Sequence, residues 1–196
     1  ATTEIYTLSH TTLFRSYDSV GTIEFLLDKN NKFYFMEMNT RIQVEHTVTE
    51  MITGLDIIKA QILIAAGERL DIKQEDVKLN GYSIECRINA ESSENDFMPS
   101  AGNITKYIAP GGFGVRLDSH VFSGYEISPY YDSMIGKLIV HGRDRDEALI
   151  RMKRALSEYT IEGIDTTKEY IMKILNDKDY MNGKFYTSFI EEFSKK

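Results

Sequence analysis

The chain has 196 residues, 42% hydrophobic and 27% charged, with 23 Lys and Arg against 30 Asp and Glu, a formal net charge of −7 and a pI of about 5.2. This is an ordinary globular composition, long enough to bury a core in one or two domains, and its acidic balance without a basic cluster argues against nucleic acid or an anionic membrane as the main partner. Cys86 is the single cysteine, so no internal disulfide can form, and the apolar runs are too short to span a bilayer; a reducing, cytoplasmic setting is expected.

In chain order, the first informative stretch is a pair of segments, Gly21–Leu27 and Phe33–Asn39, rich in β-branched and aromatic residues and separated by the turn formers Asp28-Lys29-Asn30-Asn31-Lys32. The pattern predicts a hairpin. A four-residue loop over Lys29–Lys32 puts Asp28 opposite Phe33 and Glu24 opposite Glu37, and alternation puts Asn39 on the face of Glu37. The other faces carry Ile23, Phe25 and Leu27, then Tyr34, Met36 and Met38, and are expected to lie against a core. Carboxylates that face each other repel with Cβ atoms about 5 Å apart, so a positive charge is expected between Glu24 and Glu37. Oxygen donors from Glu24, Glu37 and Asn39 suit a hard divalent ion, Mg²⁺ or Mn²⁺, although a solvated strand face is the plainer reading of two glutamates alone.

Beyond the hairpin, Thr40-Arg41-Ile42-Gln43-Val44-Glu45-His46 continues to alternate, which keeps Arg41, Gln43 and Glu45 in step with Asn39 if the chain stays extended. A guanidinium, an amide and a carboxylate so spaced can clamp a small planar oxyanion and set a base beside it. Thr47-Val48-Thr49-Glu50 has capping-box spacing and predicts a short helix ended by Gly54. Asp56 is expected to cap a buried helix over Ile57–Ala66 that Gly67 stops, and a charged connector, Leu70–Lys78, leads to a domain boundary near Asn80.

From Gly81 the pattern changes to short strands over Tyr82–Asn89, Asn103–Ile108, Val115–Asp118 and Ile135–His141, punctuated by glycine and proline. They predict a small antiparallel sheet. Within the first of them, Cys86 shares a face with Ile84 and Ile88 and reads as core, while Arg87 shares the opposite face with Glu85 and Asn89. Asp144–Tyr159 carries Ala148, Leu149, Met152, Ala155, Leu156 and Tyr159 at helical spacing, and Thr166-Thr167-Lys168-Glu169 is expected to cap a final amphipathic helix bearing Tyr170, Ile171, Ile174 and Leu175.

The run Phe35-Met36-Glu37-Met38-Asn39-Thr40-Arg41-Ile42-Gln43-Val44-Glu45-His46 resembles the signature of the biotin carboxylase family within the ATP-grasp superfamily. Four further matches follow in order: Thr49–Gly54, Glu85–Glu91, Ala109–Arg116 and Tyr130–Lys137. The resemblance implies an α+β fold. The C-terminal part of an ATP-grasp domain, antiparallel strands with helices, occupies residues 20–79, the biotin carboxylase C-terminal α+β domain occupies 80–185, and a tail occupies 186–196. It does not extend to residues 1–19, which read as a non-native leader. The N-terminal domain and the glycine-rich lid of the family have no counterpart among the motifs, so the chain by itself is expected not to turn over, to act at most as a dimerisation or metal-binding module, and to leave a strand edge and apolar surface uncovered.

The family's activity is the ATP- and bicarbonate-dependent carboxylation of biotin on a biotin carboxyl carrier protein, with acetyl-CoA carboxylase of fatty acid synthesis as the expected parent and pyruvate or another acyl-CoA carboxylase as the rival. Residue by residue, the resemblance implies that Glu24, Glu37 and Asn39 hold the metal and that Arg41, Gln43 and the Val44 backbone clamp bicarbonate. Glu45 becomes the general base, and Arg87 holds the enolate oxygen of biotin. Phe113 and Arg116 match homodimer contacts, and carboxyltransferase subunits are implied as further partners. Two positions depart from the family pattern, Thr47 and Ala101, each where a proline is usual; both loosen a turn and remove no catalytic group.

Overall fold

The computed structural model describes residues 17–194, which fall into two compact units that divide between Asn80 and Gly81. The leader expected over residues 1–19 lies outside the described residues except for its last three. Helices and antiparallel strands are mixed in the chain, an α+β arrangement.

The first unit opens with the expected hairpin, β1 (Thr22–Leu27) against β2 (Phe33–Asn39). Its turn is built by the Asp28 carboxylate, whose Oδ1 accepts from the amides of Asn30 at 2.8 Å and Lys32 at 2.9 Å. Those donors, Lys32 foremost, hold the Asp28 carboxyl below its usual range. The register differs from the sequence expectation near the turn: Leu27, not Asp28, faces Phe33, so the loop has five residues. An irregularity between Glu24 and Phe25 then absorbs Met36 as an extra residue and restores the pairing of Glu24 with Glu37. The bulge also regroups the side chains, because Phe25 now meets Phe33 and Phe35 edge-on with centroids 6.3 and 6.2 Å apart. Among the described residues no core lies against this sheet as expected, and Phe25, Leu27, Phe33 and Phe35 are exposed.

α1 (His46–Thr53) starts one residue before the expected capping box. Glu45 stands at its N-cap without a side-chain capping bond to the helix, and Thr47 falls inside the first turn, fully buried. Glu50, also buried, accepts the Ile57 amide at 2.7 Å and so ties the end of α1 to the start of α2 (Ile57–Ala65). Gly54 closes α1 at φ 73°, where its amide donates to the Glu50 carbonyl at 2.8 Å, a left-handed cap that glycine adopts without a Cβ penalty. Asp56 caps α2 through the Lys59 amide at 2.8 Å. No residue of α2 is buried, contrary to the expectation from its apolar composition.

The second unit is organised by a three-stranded antiparallel sheet in which β10 (Met134–Gly142) lies between β3 (Tyr82–Asn89) and β8 (Val115–Ser119). One face packs on α3 (Arg145–Glu158): Cys86, Ile88, Leu138 and Val140 meet Ala148, Leu149, Met152, Ala155 and Leu156 in one core, as the alternation in the strands and the period of the helix require. Asp144 caps α3 through the Glu147 amide at 2.9 Å. Tyr159, fully buried, ends the core with its hydroxyl 3.0 Å from that of Tyr107, and burial pushes its phenol well above the usual range.

The segment expected as one strand over Asn103–Ile108 splits in two. Short pairs surround the sheet: β4 (Glu91–Ser92) with β5 (Met98–Pro99), β6 (Gly102–Asn103) with β9 (Glu126–Ile127), and β7 (Lys106–Ile108) with β11 (Thr160–Glu162). α4 (Lys168–Asn176) buries Leu175 but is not the last helix, for α5 (Lys178–Met181) and α6 (Phe189–Phe193) follow. Thr167 does not cap α4 with its side chain; its hydroxyl oxygen accepts the Asn89 amide at 3.0 Å instead, joining α4 to the end of β3.

Cys86 is buried and its thiol is pushed up to about 12, by burial first and by the Glu85 charge second. An unfolded cysteine titrates near 9.0, so the folded state keeps its proton where the unfolded state loses it. The contribution is intact below pH 9 and falls as pH rises from about 9 to about 12. A thiol reagent at pH 8 is therefore expected to leave Cys86 unmodified in the folded chain and to modify it fully in urea; equal labelling in both would contradict the buried placement.

Candidate active site

In the first unit the hairpin register brings Glu24 and Glu37 directly across from each other, and Thr22 opposite Asn39. The Asn39 amide nitrogen donates to Glu24 Oε1 and to Glu37 Oε1, both at 3.0 Å. Gln43 Nε2 adds a third donor, to Glu24 Oε1 at 3.1 Å. Two opposed carboxylates are thus bridged by amide N–H groups, which occupy the place where the sequence calls for positive charge. The donor chemistry fits a hard divalent cation: two carboxylates across a strand pair, with an amide whose oxygen would face the ion once its N–H groups gave way to it. Among the described residues no three His, Cys, Asp or Glu side chains gather at a metal-binding spacing, so the candidate set consists of two carboxylates and one amide.

The strand ends at Asn39, and the segment after it is not extended as expected. It turns, with the His46 amide donating to the Gln43 carbonyl at 3.3 Å and the Val48 amide to the Glu45 carbonyl at 3.1 Å. The turn folds Gln43 back onto Glu24, which strict alternation would not have done. Arg41 is exposed, its Nη1 3.3 Å from the Ile42 carbonyl, and Glu45 is exposed at the start of α1. Val44 lies between them, half-buried. His46 fastens the turn: its Nδ1 donates to the Gln43 carbonyl at 2.7 Å, and its Nε2 lies 4.0 Å from Glu50 Oε2. The sequence reads His46 as a structural histidine, and these two contacts agree with that reading.

In the second unit, Arg87 is on β3 with its side chain 51% exposed and its Nε 3.9 Å from Glu85 Oε1. Glu85 itself is only 6% exposed. Lys137, directly opposite Arg87 on β10, was not marked by sequence reasoning, although it closes the Tyr130–Lys137 motif and the alternation of β10 puts it on the face opposite Leu138 and Val140. Phe113 is 90% exposed on the Gly112–Gly114 loop, with the Arg151 guanidinium 5.8 Å from its ring centroid. Arg116 is not on that loop with it: it belongs to β8 and makes two bonds of 2.8 Å to the Asp118 carboxylate.

With this geometry in place, two families match the chain. The Biotin carboxylase C-terminal domain matches residues 85–192, and the Carbamoyl-phosphate synthase L chain, ATP binding domain matches residues 8–73. Biotin carboxylase 1 of Bacillus subtilis is 57% identical over 178 residues, 90% of this chain and 40% of that protein. The chloroplastic biotin carboxylase of Arabidopsis thaliana is 56% identical over 174 residues, 89% of this chain and 32% of that protein. Among solved structures, the biotin carboxylase domain dimer of Hydrogenobacter thermophilus 2-oxoglutarate carboxylase, in complex with MgADP, ADP and bicarbonate, is 56% identical with a TM-score of 0.86. The match covers 90% of this chain and 39% of that one. The biotin carboxylase subunit of a pyruvate carboxylase gives 54% and 0.87, over 90% and 39% of the two chains. The chain therefore spans about 40% of the length of the first of these relatives. Since the C-terminal domain alone accounts for more than half of its residues, the chain belongs to the biotin carboxylase family.

Proposed function

We propose that this chain supplies the metal-binding, bicarbonate-binding and biotin-binding side chains of an ATP-dependent biotin carboxylase. The observation that carries the reading is the Glu24–Asn39–Glu37 cluster, in which opposed carboxylates are held together by an amide bridge. When bound, Mg²⁺ or Mn²⁺ supplies charge neutralisation for the phosphates of ATP. Glu24, Glu37 and Asn39 would hold it. Arg41, Gln43 and the Val44 backbone hold the bicarbonate oxygens, and Glu45 takes the bicarbonate proton as its oxygen attacks the γ-phosphorus and ADP leaves. Carboxyphosphate then breaks down to CO₂ and phosphate, the released phosphate takes the N–H proton of the biotin ureido group, and the deprotonated nitrogen attacks the CO₂. Arg87 stabilises the negative oxygen that the ureido group develops, a task for a permanent cation.

In this reading residues 20–79 complete an ATP-grasp domain and 80–185 form the C-terminal domain. Biotin is presented on a biotin carboxyl carrier protein, carboxyltransferase subunits take the product onward, and Phe113 and Arg116 belong to a homodimer contact. The setting is cytoplasmic, and no helix of the described residues is long and apolar enough to cross a membrane. The parent is the biotin carboxylase of an acetyl-CoA carboxylase serving fatty acid synthesis. The rival parent is a carboxylase of a 2-oxo acid, favoured by relatives that are 2-oxoglutarate and pyruvate carboxylase subunits at 56% and 54% identity. By itself the chain is a non-catalytic module.

The test uses the chain joined behind the N-terminal portion of the Bacillus subtilis relative. There, Glu37→Gln is expected to raise the Mg²⁺ concentration for half-maximal bicarbonate-dependent ATP hydrolysis at least about tenfold. An unchanged Mg²⁺ dependence would contradict the metal assignment.

A further inference from the structure

The polar face of the sheet in the second unit carries two rows of side chains across its three strands. Arg87, Lys137 and Asp118 form one row, and Glu85, Ile139 and Arg116 the next. Residues directly opposed on an antiparallel pair hold their Cβ atoms about 4.5–5.5 Å apart, and like charges placed so repel. Arg87 and Lys137 are such a pair. Each is drawn from the other by its own carboxylate: Lys137 Nζ lies 4.0 Å from Asp118 Oδ2, and Arg87 Nε lies 3.9 Å from Glu85 Oε1. Lys137 is 12% exposed, and Asp118 is held in turn by its two bonds to Arg116. Ile139 is fully buried between Glu85 and Arg116, and Glu85 and Lys137 are largely covered, while Arg116 and Asp118 are about one-third exposed. Arg87 alone in its row is half exposed.

We infer that Glu85 and Lys137 are positioning residues for Arg87: Glu85 holds the guanidinium by its Nε edge along β3, and Lys137 bars it from leaning across the sheet to Asp118. A buried carboxylate needs a charged or hydrogen-bonded partner, and the arginine two residues along its own strand is one that also has work to do outside the sheet. Removal of Lys137 would open the way for Arg87 to be captured by Asp118, with the same result as loss of Glu85, namely a guanidinium aimed wrongly. The inference rests on the reading of Arg87 as the group that holds biotin.

The experiment measures carboxylation of free biotin by the joined protein described above. Glu85→Gln, which keeps the shape and removes the charge, is expected to lower kcat/KM for biotin about tenfold or more while KM for ATP stays unchanged. In an Arg87→Ala background the same substitution is expected to cause no further loss, because there is no guanidinium left to aim. Lys137→Met gives a second arm should Glu85→Gln fail to fold: it lowers kcat/KM for biotin, and adding Asp118→Asn, which removes the competing acceptor, restores it. An equal loss from Glu85→Gln with and without Arg87, a loss shared by ATP and biotin, or no loss at all would overturn the positioning role. If Arg87→Ala itself leaves kcat/KM for biotin intact, the reading of Arg87 is what has failed, and the positioning role falls with it.

Discussion

In the chain joined to the N-terminal portion of a biotin carboxylase, Glu45→Gln is expected to lower bicarbonate-dependent ATP hydrolysis about 10²–10⁴-fold, the range for loss of a positioned general base. The change is close to isosteric, and Glu45 stands exposed at the N-cap of α1 without capping it through its side chain. Exposed substitutions that keep size and shape shift stability by about 0.5 kcal/mol or less. A large loss of turnover with an unmoved unfolding midpoint would separate chemistry from folding. A glutamine variant that turns over within a few-fold of the parent would remove Glu45 from the role of base. Arg41→Ala is a useful companion, since loss of a clamp should raise the KM for bicarbonate, where loss of the base lowers kcat.

The second large effect concerns the second unit. Leu156→Ala is expected to destabilise it by about 2–5 kcal/mol, the cost of deleting buried methyl groups and leaving a cavity. Leu156 is fully buried in the core that α3 makes with the sheet. Ile150 lies on the same helix with 70% exposure, and Ile150→Ala should change stability by only about 0.5 kcal/mol. Total stabilities of domains run about 5–15 kcal/mol, so the first substitution threatens folding and the second does not. Urea unfolding followed by circular dichroism measures both; equal shifts would mean that α3 does not bury the face described.

The second unit was the more legible of the two in the sequence, and the reason is physical. Tyr82–Asn89 has a strict two-residue alternation and Asp144–Tyr159 a 3.6-residue one, and each pattern encodes the face that the other must cover. The hairpin was legible in kind but not in register near its turn. Alternation carries no mark of a bulge, and the extra residue at Met36 changes which aromatics share a face while leaving Glu24 opposite Glu37. Past Asn39 the alternation of Arg41, Gln43 and Glu45 predicted a straight strand, whereas the turn held by His46 sends Gln43 back to Glu24. The two capping-box readings failed for a common reason. Glu50 and Thr167 have the right chemistry to cap, but each bonds a neighbouring element, the Ile57 amide and the Asn89 amide, which spacing within one helix cannot reveal. Burial of α2 was inferred from composition alone, and composition cannot supply the partner surface.

The exposed aromatics of the hairpin bear on how the chain behaves by itself. Phe25, Phe33 and Phe35 form one exposed apolar face on a two-stranded sheet, a combination that invites association. The chain spans about 40% of the length of the Bacillus subtilis relative, so its behaviour alone and joined to that relative's N-terminal portion are separate questions.

The most direct measurement is therefore bicarbonate-dependent ATP hydrolysis in the presence of free biotin, with this chain by itself compared with the same chain joined behind the N-terminal portion of the Bacillus subtilis biotin carboxylase. Turnover in the joined protein only, with its biotin-stimulated part lost in Arg87→Ala and the whole of it lost in Glu45→Gln, is the expected result. A folded joined protein that stays silent, or turnover by the chain alone that survives Glu45→Gln, would contradict the assignment of these residues to the biotin carboxylase reaction.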